Sequence, residues 1–298
     1  MRFGYACINL SLPSKLKTCR LGTVEKEGMK KVKELTISNF KEVLAILQWN
    51  KAHDILFYRV SSDIVPFGSH PILDWKWWED EDVLQITNEI KSLKTKENMR
   101  LSVHPGQYTV LNSPRKEVVT NAILDLEYHN RLLELVGGTD MILHVGGAYG
   151  DKEKAKTRFI AEYDQLSEAV KQKLRLENDD KVFTVADVLD ISAKTKVPVC
   201  FDIHHHNCNE AKEKETKAYI QDVLHTWEGI GTPKCHISSG REHKKDTAHH
   251  DYIFLDDYLA FAHYISDYEV DIMIEAKQKD KALLQLRKDI QNVNFTEM

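Results

Sequence analysis

The sequence predicts an α/β protein folded as one closed (β/α)8 barrel, the TIM architecture, and three observations carry that prediction. Short β-rich runs alternate eight times with helix-length amphipathic stretches along 298 residues. That length suits one barrel, whose usual size is about 250 residues plus insertions. The turn after the first strand reads Asn9, Leu10, Ser11, Leu12, Pro13, not the glycine-rich phosphate turn of a doubly wound open sheet.

Taken in order, the strands are expected at Phe3–Ile8, Asp54–Val60, Arg100–Val103, Asp140–Leu143, Leu174–Leu176, Val197–Ile203, Lys234–Ile237 and Val270–Ile274. Each is a short apolar run bounded by charged or turn residues, too brief for a helix. The intervening segments read as helices because their apolar residues recur three and four apart. They are expected at Thr36–Lys51, Glu81–Lys94, Glu117–Val136, Lys152–Val170, Thr184–Thr195, Lys217–Glu228 and Leu255–Ser266, with a last helix from Asp280 to about Asn292. Parallel strands joined by right-handed helical crossovers close naturally at eight units. No linker, low-complexity tract or composition shift interrupts the series, so residues 1–298 read as a single catalytic domain.

Composition narrows the class. Hydrophobic residues make up 42% of the chain, a globular proportion once the 13 glycines are added, which excludes a disordered or fibrous protein. No run approaches the ~18 apolar residues of a membrane span. The opening MRFGYACINLSLPSK is not a signal peptide, since Asn9 and Ser11 break its apolar stretch and no small-x-small cleavage site follows. Five cysteines without a Cys-x-x-Cys pair signal neither a disulfide framework nor a zinc knuckle and favour a reducing cytosol. The net charge of −5 is not the global signature of a nucleic-acid binder, so any such role needs local positive charge.

Chemistry in a barrel gathers where the strands end. Strand three ends in His104, strand four in His144 and strand five in Glu177; strand six yields Asp202 and, three residues on, His205; strand seven gives His236 and strand eight Glu275. Any one of these alone reads as a hydrogen-bonded structural residue, a helix cap or a surface charge. Seven converging in one mouth would be costly to desolvate unless cations neutralised them. Mixed imidazole and carboxylate donors suit Mn²⁺, Zn²⁺ or Fe²⁺, and a shared Glu177 or Asp202 could bridge two ions for in-line attack on a phosphodiester. In the loop after strand seven, His243, His249 and His250 compete as an eighth donor. Alternation leaves open which way His205 points among the three adjacent histidines 204–206.

Basic residues cluster in loops on the same face: Lys15, Lys17 and Arg20; Arg115 and Lys116; Arg241, Lys244 and Lys245. Their common face makes phosphate contacts credible despite the acidic total. The turn HPGQYTVLNSP puts Gln107 and Tyr108 at its tip, where an amide beside an aromatic could wedge into a base stack.

The segments FGYACINL, SHP, LSVHPGQY, LHVGG, LRLEND, FDIHHHN, CHISS and AHHDYI, in this order, resemble the ultraviolet damage endonucleases from Phe3 to about Glu275. The resemblance implies a TIM barrel related in architecture to endonuclease IV, and a metal-dependent endodeoxyribonuclease of DNA repair. It implies incision immediately 5′ to ultraviolet photolesions, cyclobutane pyrimidine dimers or 6-4 photoproducts, leaving a 3′-hydroxyl and a 5′-phosphate. It makes His104, His144, Glu177, Asp202, His205, His236, His249 and Glu275 the ligands of two or three divalent ions, Mn²⁺ first and Zn²⁺ as the alternative. Glu177 and Lys234 become the catalytic residues, Lys234 matching a family lysine beside the metals that can be carboxylated. Gln107 and Tyr108 would probe the duplex opposite the lesion, while Tyr5, Asn9 and His70 would line the pocket for the damaged dinucleotide. The partner implied is damaged double-stranded DNA, with no membrane and no obligate protein partner. A compact, bacterial-type monomer is expected, cytoplasmic and nucleoid-associated when bound to DNA.

Three other readings compete. A two-metal sugar isomerase on the same barrel would use Glu177, Asp202, His205 and Glu275, but the excess of histidines and the basic loops count against it. An apurinic-site endonuclease shares the chemistry, and a non-catalytic barrel leaves the convergent donors unexplained.

Overall fold

Eight parallel strands pair in strict chain order and close on themselves: β1 (Phe3–Ala6), β2 (Phe57–Arg59), β3 (Arg100–Val103), β4 (Asp140–His144), β5 (Leu174–Glu177), β6 (Val199–Asp202), β7 (Lys234–Ile237) and β8 (Asp271–Ile274). Around them lie α1 (Leu21–Glu27), α2 (Met29–Ala52), α3 (Glu81–Lys96), α4 (Lys116–Val136), α5 (Lys152–Tyr163), α6 (Glu168–Lys173), α7 (Val185–Thr195), α8 (Ile203–Cys208), α9 (Thr216–His225), α10 (Leu255–Ile265) and α11 (Lys279–Thr296). This computed structural model describes residues 1–13 and 15–296; Ser14, Glu297 and Met298 of the expected 1–298 domain lie outside the described residues. No helix among the described residues is long and apolar enough to cross a membrane.

The period-two alternation of each strand splits the protein into two cores. One face packs on the helix ring: Leu101 and Val103 of β3, Met141 and Leu143 of β4 and Val199 and Phe201 of β6 join Val83, Ile86 and Ile90 of α3 and Leu126, Leu132 and Leu133 of α4 in one buried cluster. The other face fills the barrel, where Ala6, Phe57 and Met273 form a small apolar cluster of their own.

Charge is stratified along the axis. At the N-terminal ends of the strands, Asp140 accepts from Arg100 Nε at 2.8 Å and Arg175 Nε at 3.0 Å, while Asp271 accepts from Arg100 at 2.9 Å and pairs with Arg2 at 3.0 Å. Four ionised groups inside the floor therefore find partners, as buried charges must. At the other end the register sets His144 beside Glu177 and Asp202 beside His236, so the strand-end residues share one level.

Several boundaries differ from the sequence reading, each for a local reason. Strand six stops at Asp202 instead of Ile203, because the Asp202 carboxylate accepts the His205 backbone N–H and caps α8, a helix that Val-Cys-Phe-Asp-Ile had concealed as continued strand. The expected Lys152–Val170 helix is two: α5 ends at Tyr163, and the Ser167 side chain accepts the Val170 N–H to start α6. The helix expected from Thr36 begins at Met29, since Val32 and Leu35 already face the core. Gly28, at φ 71°, separates it from α1, a short helix where a loop is expected. Strands one, two and eight are shorter than expected; Cys7 turns left-handed at φ 69° and ends the first.

Candidate metal centre and groove

Glu177 lies at the centre of the mouth and is fully buried. His104 Nε2 stands 3.0 Å and His144 Nε2 3.2 Å from its Oε2; His236 Nδ1 stands 2.5 Å and His205 Nδ1 3.9 Å from its Oε1. Among the described residues, three donor groups fall within ion-binding reach: His104, His144 and Glu177; Glu177, His236 and Glu275; Glu177, Asp202 and His205. All three contain Glu177. Seven of the eight expected ligands thus come together.

Their orientation has identifiable causes. The carbonyl of Pro105 can only accept, so His104 Nδ1, 3.0 Å away, carries the ring proton and Nε2 presents its lone pair to the carboxylate. Burial pushes the His104 pKa down to about 4, outweighing the neighbouring Glu177, so the ring is neutral at pH 7. His205 is held likewise, Nδ1 lying 2.9 Å from the Asn178 carbonyl. Asn178 also exchanges side-chain hydrogen bonds with the Asp202 backbone in both directions at 2.9 Å, which locks the end of β5 to the end of β6.

The donor set fits divalent cations. Two donors each about 2.1 Å from an ion at right angles sit about 3 Å apart, which is the spacing of His104 and His144 from Glu177. A bare imidazole lone pair facing a carboxylate oxygen is repulsive unless a cation lies between them. Asp202 Oδ2 and His144 Nδ1 are buried without a hydrogen-bond partner, a cost that demands an explanation.

The rest of the electrostatics compensates these acids. Burial drives the Glu177 carboxyl up, yet the surrounding imidazoles, His236 and then His144, hold it well below the usual range. For Glu275 the offset comes first from Arg59, whose guanidinium lies 2.5 Å from Oε1. Burial alone would lower His205, but Asp202, Glu177 and Glu275 outweigh it and raise its pKa to about 9.

Arg59, which also donates to His236 Nε2 at 2.9 Å, was missed by the sequence reading. It ends strand two as the histidines end theirs, and that position was its signal. Asn178 carries no such signal, since a neutral amide is not a candidate metal donor and its bonds to the Asp202 backbone form only in the folded barrel.

Of the three competing histidines, His249 has its ring 6.3 Å from that of His205 and 5.7 Å from that of His204. It stands at the rim, outside the three donor groups. His250 instead bonds the Tyr252 backbone and packs on Phe254, and His243 is exposed.

The remaining expected residues separate. The resemblance put Tyr5 on the pocket wall, but Gly4 and Ala6 take the barrel-facing positions of β1, so Tyr5 faces α2. There its hydroxyl, fully buried, donates to Asn50 Oδ1 at 2.6 Å and accepts from Asn9 Nδ2 at 2.9 Å. Asn9 is buried too, its Oδ1 accepting from the Ser11 and Leu12 N–H groups to shape the loop after β1. Lys234 sits one layer below His236, with Nζ 3.0 Å from Ser102 Oγ and over the Phe57 ring, outside the donor groups. Burial, then Arg59, lowers its pKa to about 7. His70 is exposed on the β2–α3 loop, and its Nδ1 accepts the Ile72 N–H. Gln107 and Tyr108 project from the β3–α4 loop, with Tyr108 84% exposed. Beside them a groove of about 880 Å³ runs past His144, His205 and His249 to Tyr149 and Lys181.

Comparison with known proteins bears on this arrangement. The family model described as UV-endonuclease UvdE matches residues 1–297. A UV DNA damage endonuclease of Bacillus thuringiensis subsp. konkukian (strain 97-27) is 37% identical, with 98% of this chain and 95% of the relative covered. The crystal structure of SacUVDE superposes with a TM-score of 0.87 at 34% identity, covering 99% of both chains. Endonuclease IV from Thermus thermophilus shares the barrel at a TM-score of 0.60 and 12% identity, covering 98% of this chain and all of the other. The chain belongs to the UV-endonuclease UvdE family.

Proposed function

We propose that this chain, a DNA-repair nuclease, cuts the strand immediately 5′ to cyclobutane pyrimidine dimers and 6-4 photoproducts and leaves a 3′-hydroxyl and a 5′-phosphate. The observation that carries the reading is the sharing of Glu177 by three donor groups beneath an exposed Gln107–Tyr108 tip. His104, His144, Glu177, Asp202, His205, His236 and Glu275, with His249 at the rim, would hold two or three divalent ions. Mn²⁺ comes first and Zn²⁺ second, since nitrogen–oxygen donor sets accommodate both. Such ions, when bound, supply an activated water at neutral pH and offset charge on the departing 3′-oxygen.

The protein's own part is placement. Glu177 would be shared between the ions, while the Pro105 carbonyl turns the His104 Nδ1 proton away from the carboxylate and the Asn178 carbonyl holds the His205 ring through Nδ1. Lys234 acts from the layer below; with its pKa near 7 it is partly the neutral amine that can take up CO₂. The Tyr108 ring and the Gln107 amide wedge into the duplex, and the damaged pair, already poorly stacked, costs least to extrude. Exposed Lys15, Lys17, Arg20, Arg115, Lys116, Arg241, Lys244 and Lys245 meet the phosphates. His70 borders the same duplex, and Tyr5 and Asn9 contribute by shaping the first loop. The working unit in this reading is a cytoplasmic monomer on nucleoid DNA.

The test compares duplexes with and without one thymine dimer, using wild type and Tyr108→Ala in Mn²⁺. Expected is incision of the damaged duplex alone, weakened in the variant by on the order of tenfold or more, the weight of one stacked aromatic. Cutting only at abasic sites would return the apurinic-site reading.

A further inference from the structure

We infer that Asp125 of α4 is a positioning residue for lesion recognition, its carboxylate tying together the two loops that carry the recognition residues. The inference rests on the proposed function and deepens it. Oδ1 of Asp125 accepts from Ser69 Oγ at 2.8 Å, and Oδ2 accepts from Thr109 Oγ1 at 2.6 Å. Ser69 immediately precedes His70 in the β2–α3 loop, and Thr109 immediately follows Tyr108 in the β3–α4 loop. One carboxylate therefore anchors the neighbours of His70 and Tyr108 together.

The same helix face adds further anchors. The Tyr128 hydroxyl donates to the Ser62 carbonyl at 2.8 Å and accepts the Val65 N–H at 3.3 Å. A Cβ on Gly68 would stand 2.2 Å from the Tyr128 ring, so only glycine lets that loop lie so close. His129 Nδ1 donates to the Asp125 carbonyl at 2.7 Å and stands 3.4 Å from Oδ2. These groups line a second cavity of about 400 Å³ that shares Gly106 and Tyr108 with the main groove, so the tip is a partition between two hollows.

A partition must be stiff to be a wedge. Tyr108 has almost no packing of its own, whereas Thr109, the next residue, is buried on Asp125. Holding the loop in advance spares the ordering entropy that binding would otherwise have to supply. Losing the clamp should raise KM for damaged duplex on the order of tenfold to a hundredfold, the weight of ordering one or two residues. Because Asp125 lies outside all three donor groups, kcat at saturating DNA should change little.

The experiment uses the full chain with Mn²⁺ and four variants: Asp125→Ala, Asp125→Asn, Thr109→Val and the Asp125→Ala/Thr109→Val double. Expected is a KM increase in Asp125→Ala, a smaller one in Thr109→Val and no further increase in the double, because one hydrogen bond is shared. Asp125→Asn should recover most of the loss, since its amide can both accept from and donate to the two hydroxyls. Hydrogen exchange without DNA should rise together at residues 62–70 and 105–110 in Asp125→Ala. Unchanged KM and protection, additive losses in the double, or a fall in kcat with weakened Mn²⁺ binding would each overturn the inference. Wild type failing to cut the dimer duplex would instead sink the proposed function, while the exchange data would still report on the clamp.

Discussion

Glu177→Gln keeps the volume of the hub residue and removes its charge, so it tests the metal centre without opening a cavity. All three donor groups lose the charge of their shared carboxylate at once, and the His104–His144 group is left with none. Losing a mere outer partner of a ligand costs ten- to a hundredfold in metal affinity, so losing a donor should cost at least about a hundredfold for every ion it touches. If bound ions contribute about 4 kcal/mol to the transition state, incision should slow roughly a thousandfold at 1.36 kcal/mol per decade. Saturating Mn²⁺ should raise the wild-type Tm by on the order of 5 °C and leave the variant nearly unmoved. The assays are metal content by mass spectrometry, thermal unfolding with and without Mn²⁺, and single-turnover incision of a dimer-containing duplex. A folded Glu177→Gln protein that keeps wild-type metal content and incision would refute the reasoning.

Further outcomes follow from the charge layers. His205, at a pKa of about 9 without ions, is protonated at pH 7, so Mn²⁺ uptake at that pH should release protons into a weakly buffered indicator solution; uptake with none released contradicts its assignment as a ligand. Asp140→Ala leaves Arg100 and Arg175 buried without their shared partner and should cost about 3–5 kcal/mol in urea unfolding. Its carboxyl is lowered from 3.8 to about 2, so its contribution is complete above about pH 4 and is lost as pH falls through 2, a step that Asp140→Asn should lack. Lys234 is lowered from 10.5 to about 7, so the unfolded chain binds the extra proton between those values and wild-type stability should gain a rising component over that range; Lys234→Met should remove it.

What the sequence makes legible here is set by period. Two-residue alternation carries Arg100, Ser102 and His104, or Lys234 and His236, to the barrel face together, so the strand-end donors could be read from the chain alone. The same rule, pressed on β1, would have turned Tyr5 outward, because the small residues Gly4 and Ala6 take the crowded axis. Strand six hid its end, since Phe-Asp-Ile is good strand sequence and only the capping bond from the His205 N–H to Asp202 converts it to helix. Arg59 falls outside a pattern of metal donors because a guanidinium cannot ligate a cation, although it neutralises Glu275 beside them. Asp125 could not have been found at all: its partners lie 56 and 16 residues away, and no local pattern announces a bond formed by tertiary packing.

Loaded with divalent ions, the Glu177 cluster should incise DNA beside damage. The most direct test loads purified wild-type chain with Mn²⁺, counts the ions per chain and maps the product ends on a duplex carrying one thymine dimer in a known position. Expected are two or three ions, one cut immediately 5′ to the dimer and a 3′ end that a polymerase extends. A chain that binds the ions and leaves the dimer strand intact, or that cuts damaged and undamaged duplex alike, would contradict it.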